Sequence, residues 1–188
     1  MWDSSTGECL QTFADYFNQS DVNTCSDDGV YCLHAEPQSK PSLWNVVKKE
    51  CVQQFDNDDL LFSLALSNEG KQCAMGGMQE IIKLFDVASG KHIMELKDNL
   101  TIINALAYMP GDKLLVSGPE EDDEIKVWDL GSGKVIQKFK HNGATIALAC
   151  SPDGKRIAYS DRSDSVVRYF DLVAAKEVPS EGSYCLLW

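Results

Sequence analysis

Five aromatic residues, each followed by an acid or its amide, divide the chain at nearly equal steps. They are Trp2-Asp3, Trp44-Asn45, Phe85-Asp86, Trp128-Asp129 and Phe170-Asp171, with intervals of 42, 41, 43 and 42 residues between the aromatics. A fixed period of this length constrains the fold more than composition does, because each period must be one small structural unit stacked on the next.

Other positions keep the same phase. Five residues after the anchors come Gly7, Lys49, Gly90, Gly133 and Ala175, the place for a tight turn. Eleven after come Phe13, Phe55, Leu96 and Phe139. Eighteen after come Ser20, Phe62, Ile103, Ile146 and Trp188. A turn tetrapeptide recurs as Ser26-Asp27-Asp28-Gly29, Ser67-Asn68-Glu69-Gly70 and Ser151-Pro152-Asp153-Gly154, with Met109-Pro110-Gly111-Asp112 in the remaining slot. The short runs between these turns have strand character. Ile82-Lys83-Leu84 and Ile125-Lys126-Val127 alternate, which predicts one buried and one more exposed face. No segment reads as a helix of ten or more residues.

The period and its closing Trp-Asp pair resemble the WD-repeat β-propeller family, with four strands per blade. Ile82–Asp86 with Gly90-Lys91 and Ile125–Asp129 with Gly133-Lys134 carry the likeness best. Six residues before the anchor the family prefers Asp; Asp122 and Asp164 match, whereas Gln38 and Gln79 depart. The family's His slot holds Tyr16, Asp58, Asn99 and Asn142, with His141 one residue early, so its His-Asp network is expected to be largely missing. Residues 14–45, with Pro37 and Pro41 and no clear apolar run before Ser26, match least.

The resemblance implies an all-β propeller with four antiparallel blades near 14–55, 56–97, 98–140 and 141–179, and single strands near 8–13 and 183–188. Rings of this type use about 4–8 blades, and a ring built from this repeat needs more than 188 residues to reach the family's common size. The chain is therefore expected to be an incomplete ring. A piece of a longer product is preferred over a truncated isoform or half of an oligomer.

Charge narrows the partners. The chain holds 17 Lys+Arg against 29 Asp+Glu, a net charge of −12, which opposes phosphate backbones and disfavours nucleic acid. Residues 1–60 carry 11 acids and 3 bases, against 18 and 14 in the remainder. No apolar run is long enough for a membrane helix. Seven cysteines without a secretory leader fit a reducing compartment, the cytoplasm or else the nucleus. Cys25 and Cys32 lie in one hairpin, but Cys25 shares its slot with Leu66, Tyr108 and Cys150, so it reads as packing. His34, His92 and His141 lie in different blades without a nucleophile motif and read as ordinary polar residues. Neither a metal site nor a cofactor nor a catalytic residue is expected.

Partners in this family often dock where strand a begins and where strands b and c are joined. Transferred to this chain, that surface comprises Leu61, Ile102 and Thr145, together with Met78, Glu121 and Ser163. The acidic run Glu120-Glu121-Asp122-Asp123-Glu124 sits in the b–c loop beside them, and adds Glu120, Asp123 and Glu124 as docking points for a basic segment. The expected function is a non-catalytic protein-interaction scaffold. The rival is a propeller domain belonging to an enzyme, either of a peptidase or in the repeat region of a NACHT-type signalling ATPase.

Overall fold

The computed structural model describes residues 6–8, 22–26, 28–36, 39–99, 101–121, 124–141, 143–162 and 166–178. Trp2, Asp3, Asp122, Asp164 and both terminal single strands lie outside them. Among the described residues, sixteen strands make four antiparallel sheets, each in sequence order. The first contains β1 (Val22–Cys25), β2 (Tyr31–Ala35), β3 (Ser42–Asn45) and β4 (Glu50–Gln54). The second contains β5 (Leu61–Leu66), β6 (Gln72–Gly77), β7 (Ile82–Asp86) and β8 (His92–Leu96). The third contains β9 (Ile103–Tyr108), β10 (Leu114–Pro119), β11 (Glu124–Asp129) and β12 (Lys134–Lys140). The fourth contains β13 (Thr145–Cys150), β14 (Arg156–Asp161), β15 (Val167–Asp171) and β16 (Lys176–Val178). β1 forms although its sequence, Val-Asn-Thr-Cys, has little apolar content; its ladder with β2 supplies what its side chains do not. The first strands of the sheets stand side by side in the order β1, β5, β9, β13, and among the described residues the row does not close into a ring.

The repeated residues occupy repeated geometry. All five residues placed five after an anchor have positive φ, including the non-glycines Lys49 (59°) and Ala175 (51°). The anchor acid explains why the turn holds its shape. Asp86 Oδ1 accepts the Ser89 N–H at 2.8 Å and the Ser89 hydroxyl at 2.6 Å. Asp129 accepts the corresponding pair from Ser132, at 2.7 and 2.6 Å. Asp171 takes the N–H groups of Val173 and Ala174, and Asn45 that of Lys48. A short side-chain oxygen bonding back from its own turn supplies the acceptor for N–H donors that the strand ladder leaves unused.

Three cores lie between consecutive sheets. Leu33, Leu43, Phe55, Leu61, Met75 and Phe85 fill the first. Ile82, Leu84, Leu96, Ile103, Leu115 and Trp128 fill the second. Ile125, Val127, Phe139, Ile157, Tyr159 and Phe170 fill the third. The slot eleven residues after an anchor thus meets the anchor of the next sheet: Phe55 packs edge-on to Phe85, with ring centroids 5.6 Å apart, and Phe139 stacks on Phe170 at 3.8 Å.

This stacking corrects the expected more exposed face in β11, whereas in β7 Lys83 is half-buried between buried Ile82 and Leu84. The cations two residues before Phe85, Trp128 and Phe170 are drawn onto nearby acceptors. Lys126 is only 4% exposed, and its ammonium donates to the Asp98 carbonyl. Lys83 reaches Asp58 Oδ1 at 2.8 Å, and Arg168 Nη1 reaches the buried Asp161 at 2.9 Å.

Candidate protein-binding rim

At one end of the row, β5, β9 and β13 are each preceded by a residue whose carbonyl is bridged to the loop after the second strand. The Met78 N–H donates to the Leu60 carbonyl, the Glu120 N–H to that of Ile102, and the Arg162 N–H to that of Ala144. These three pairs are structural equivalents and form a rim across the second, third and fourth sheets. The strand registers agree: Leu61, Ile103 and Thr145 pair with Gly77, Pro119 and Asp161, each followed by a bulge.

Counting from the anchors misplaces part of this rim by one residue. Counted from the residue eleven after each anchor, the path to the first strand is one residue longer before β9, from Leu96 to Ile103, than before β5, from Phe55 to Leu61, or before β13, from Phe139 to Thr145. Position eighteen therefore falls on Ile103 at the first strand residue, but on Phe62 and Ile146 at the bulges. Of the residues expected to dock partners, Leu61 and Thr145 point into the core, at 6% and 0% exposure. Thr145 also bonds its hydroxyl to His141 Nε2 at 3.2 Å. Leu60, not Leu61, reaches the surface, at 38% exposure, beside Met78 at 56%. Ile102 is half-buried on the same rim and Glu121 is exposed. Ser163 and Asp123 lie outside the described residues.

The acidic loop is partly neutralised by its own fold. Glu120 lies 3.7 Å from Arg162 Nη1, and Glu124 opens β11 with its carboxylate 2.9 Å from Lys138 Nζ. The Lys138 ammonium lowers the Glu124 pKa. Glu124 is thus a sheet ion pair rather than a free docking charge. Asp59, in the loop before β5, accepts the Gln79 N–H at 3.1 Å, and burial raises its pKa against that bond.

His141, read from the sequence as an ordinary polar residue, is buried, with its ring 6.1 Å from that of Tyr159. Gly76 and Gly77 lie within β6. A Cβ on Gly76 would stand 2.7 Å from Ile103 Cγ2, and one on Gly77 would stand 2.0 Å from the Leu60 carbonyl oxygen. Gly118 in β10 is the equivalent of Gly76, and a Cβ there would stand 2.5 Å from Thr145 Cγ2. These glycines let the first strand of the next sheet come close. Sequence reading misses Leu60 and Arg162, because neither keeps a residue type from blade to blade; the recurring Gly and the loop lengths are the signal that could have found them.

The opposite end is occupied by internal bonds. The Asp112 carboxylate, on the turn between β9 and β10, accepts the N–H groups of Asn68 and Glu69 at 2.8 and 2.9 Å. It thereby ties two neighbouring sheets together. Among the described residues no group of three or more His, Cys, Asp or Glu is arranged to hold a metal.

Four stacked four-stranded antiparallel sheets, with inner strands side by side and a fixed turn acid, define a β-propeller segment. Comparison with known proteins agrees. Residues 90–129 match the family model described as WD domain, G-beta repeat. Small ribosomal subunit protein RACK1 of Glycine max is 36% identical over 101 residues, which are 52% of this chain and 30% of that protein. THO complex subunit 3 of Arabidopsis thaliana is 26% identical over 108 residues, 55% of this chain and 34% of that protein. The chain thus spans about a third of the length of these relatives. Among solved structures, that of U3-55K superposes with a TM-score of 0.73 at 18% identity, covering 84% of this chain and 50% of that one. The RRP9 WD40 repeats superpose with a TM-score of 0.71 at 18% identity, covering 84% and 49%. These comparisons support a WD-repeat propeller family for this chain.

Proposed function

We propose that the chain is a non-catalytic docking module within a larger assembly in the cytoplasm or nucleus. Its binding surface is the rim formed by Leu60, Met78 and Ile102, bordered by Glu120 and Glu121. The observation that carries this reading is the contrast at the start of β5: Leu61 is buried while Leu60 and Met78 stand exposed together on a rigid frame. Exposed apolar side chains held by fixed backbone give contact area at low ordering cost. The chemistry that fits is a protein segment presenting an apolar side chain flanked by basic residues, rather than a nucleic acid. Names such as small ribosomal subunit protein and THO complex subunit support an assembly role.

The reading includes ring completion. Trp44 is half-buried, whereas its equivalents Phe85, Trp128 and Phe170 are buried. A further blade, from the same gene product or another chain, would cover it. The test compares partners retained by the wild type and by a Leu60→Ser, Met78→Glu variant. Loss of a partner with an unchanged unfolding midpoint supports the rim; identical partner sets refute it. Glu120→Gln with Glu121→Gln should lower affinity for a basic partner and flatten its salt dependence.

A further inference from the structure

The first sheet carries two thiols in register. Cys25 ends β1, and Cys32 lies directly opposite it on β2. The Ser26 N–H donates to the Tyr31 carbonyl at 2.9 Å, so Cys25 and Cys32, one step along, are a non-hydrogen-bonded pair. Such pairs have Cα atoms about 4.5 Å apart, inside the range of roughly 4.4–6.8 Å that a disulfide spans. The equivalent pairs in the other sheets are Leu66 with Cys73, Tyr108 with Leu115 and Cys150 with Ile157. Among the described residues, only this sheet opposes Cys to Cys.

The two thiols differ in surroundings. Cys25 is exposed and Cys32 is buried. The Cys32 S–H bonds to Cys25 Sγ, which brings the Cys25 thiol down to about 7 against the burial that pushes it up. The same bond, with burial, raises Cys32. By contrast, burial alone pushes the Cys150 thiol up to about 11. Accessible and partly ionised near neutral pH, Cys25 is built to attack; Cys32, shielded from solvent, is built to resolve.

We propose that Cys25 and Cys32 form a reversible dithiol–disulfide site, oxidised by a low-molecular-weight disulfide of the glutathione class. The Cys25 thiolate attacks one sulfur of the small disulfide, forming a mixed disulfide and releasing one thiolate. Cys32 then loses its proton to that thiolate, attacks Cys25 Sγ and expels the second thiolate. Two protein thiols are oxidised, and one small disulfide is reduced to two thiols. The short cross-strand span favours a bond that is readily reduced again. This site is independent of the rim.

The test equilibrates the full chain with graded mixtures of reduced and oxidised glutathione, quenches with acid, alkylates, and digests before aspartate and after lysine. Asp27 and Asp28 place a cut between Cys25 and Cys32, and Lys48 and Lys49 one between Cys32 and Cys51. The expected result is a pair of peptides joined through Cys25 and Cys32 in oxidising mixtures, separated again in reducing ones, to an extent independent of protein concentration. Cys32→Ser should stop at the Cys25–glutathione mixed disulfide, and Cys25→Ser should leave Cys32 unmodified, both with unchanged circular dichroism. Full alkylation of both cysteines in every mixture overturns the proposal. So does Cys25 joined to Cys51 or to a second chain.

Discussion

Asp112 combines two roles that substitution separates. It has φ of 56°, in the slot where the other three tetrapeptides have Gly, and its carboxylate holds two backbone N–H groups of the neighbouring sheet. Its Oδ1 also meets Asn68 Nδ2 at 2.5 Å. Each lost bond of this kind is worth about 1 kcal/mol on a surface turn, so removing the carboxylate should cost about 2 kcal/mol. A β-carbon without a local polar partner in the left-handed region costs roughly 1 kcal/mol more. Asp112→Ala should therefore lose about 3 kcal/mol, and Asp112→Gly, which accepts positive φ, about 2 kcal/mol. Asp112→Asn, which tolerates the backbone and keeps one acceptor, should lose least, about 1 kcal/mol. Urea unfolding gives the order, and amide hydrogen exchange gives the cause: Asn68 and Glu69 should lose protection in the Ala and Gly variants and keep most of it in the Asn variant. Unchanged protection in Asp112→Ala, or an Asp112→Gly chain more stable than the wild type, would refute the clamp.

Four further outcomes are expected. Asp86 and Asp129 are held below their ordinary pKa by Ser89 and Ser132, and Asp171 by the Ala174 and Val173 N–H groups. Because folded values lie below unfolded ones, their stabilisation is present above a pH of about 4 and lost as pH falls through the folded values; a urea midpoint rising on acidification would contradict this. Lys126→Ala removes a buried stem and its carbonyl bond, and should cost about 2–3 kcal/mol in denaturant unfolding, with Lys126→Met recovering most of it. Gly118→Ala drives a methyl into Thr145 and should cost about 1–3 kcal/mol, whereas Gly131→Ala, whose nearest neighbour is Asp129 Oδ1 at 3.5 Å, should be silent in the same assay. Trp128 donates its indole N–H to the buried Ser117 hydroxyl at 2.8 Å, while Phe85 stands at the same slot with Met75 in place of that serine; Trp128→Phe should cost about 1–2 kcal/mol, and adding Ser117→Met should restore part of it in a double-mutant cycle.

The turn end of each blade is legible in the sequence because its geometry demands particular residues. Positive φ calls for Gly at Gly7, Gly90 and Gly133, and the turn acids repeat because the same N–H groups need the same acceptor. Lys49 and Ala175 show that the phase, rather than the residue type, carries the information. The rim is less legible for a physical reason. The bond that repeats there is backbone to backbone and demands no residue type, so a single inserted residue before β9 shifts the count, which lands on Leu61 where Leu60 is the exposed side chain. The inward turn of Lys126 is invisible to alternation, because period two reports two faces but not whether a neighbouring sheet covers both.

The same distinction revises what the acidity means. Asp28, Asp86, Asp129, Asp153 and Asp171 accept bonds from their own turns, which hold their pKa values low. They stay ionised to lower pH, so the turn end is anionic through structural need, and much of the −12 charge arises without reference to any partner. Those carboxylates also have lone pairs already engaged, which makes them poor anchors for a directed contact. At the rim, Glu120 and Glu124 are similarly engaged by Arg162 and Lys138. In the docking role proposed above, net charge governs approach and favours cationic surfaces over phosphate backbones, while the choice among cationic partners falls to exposed apolar side chains. Leu60 and Met78 supply that element next to Ile102, at the end of the blades where loop length and residue type are free to vary.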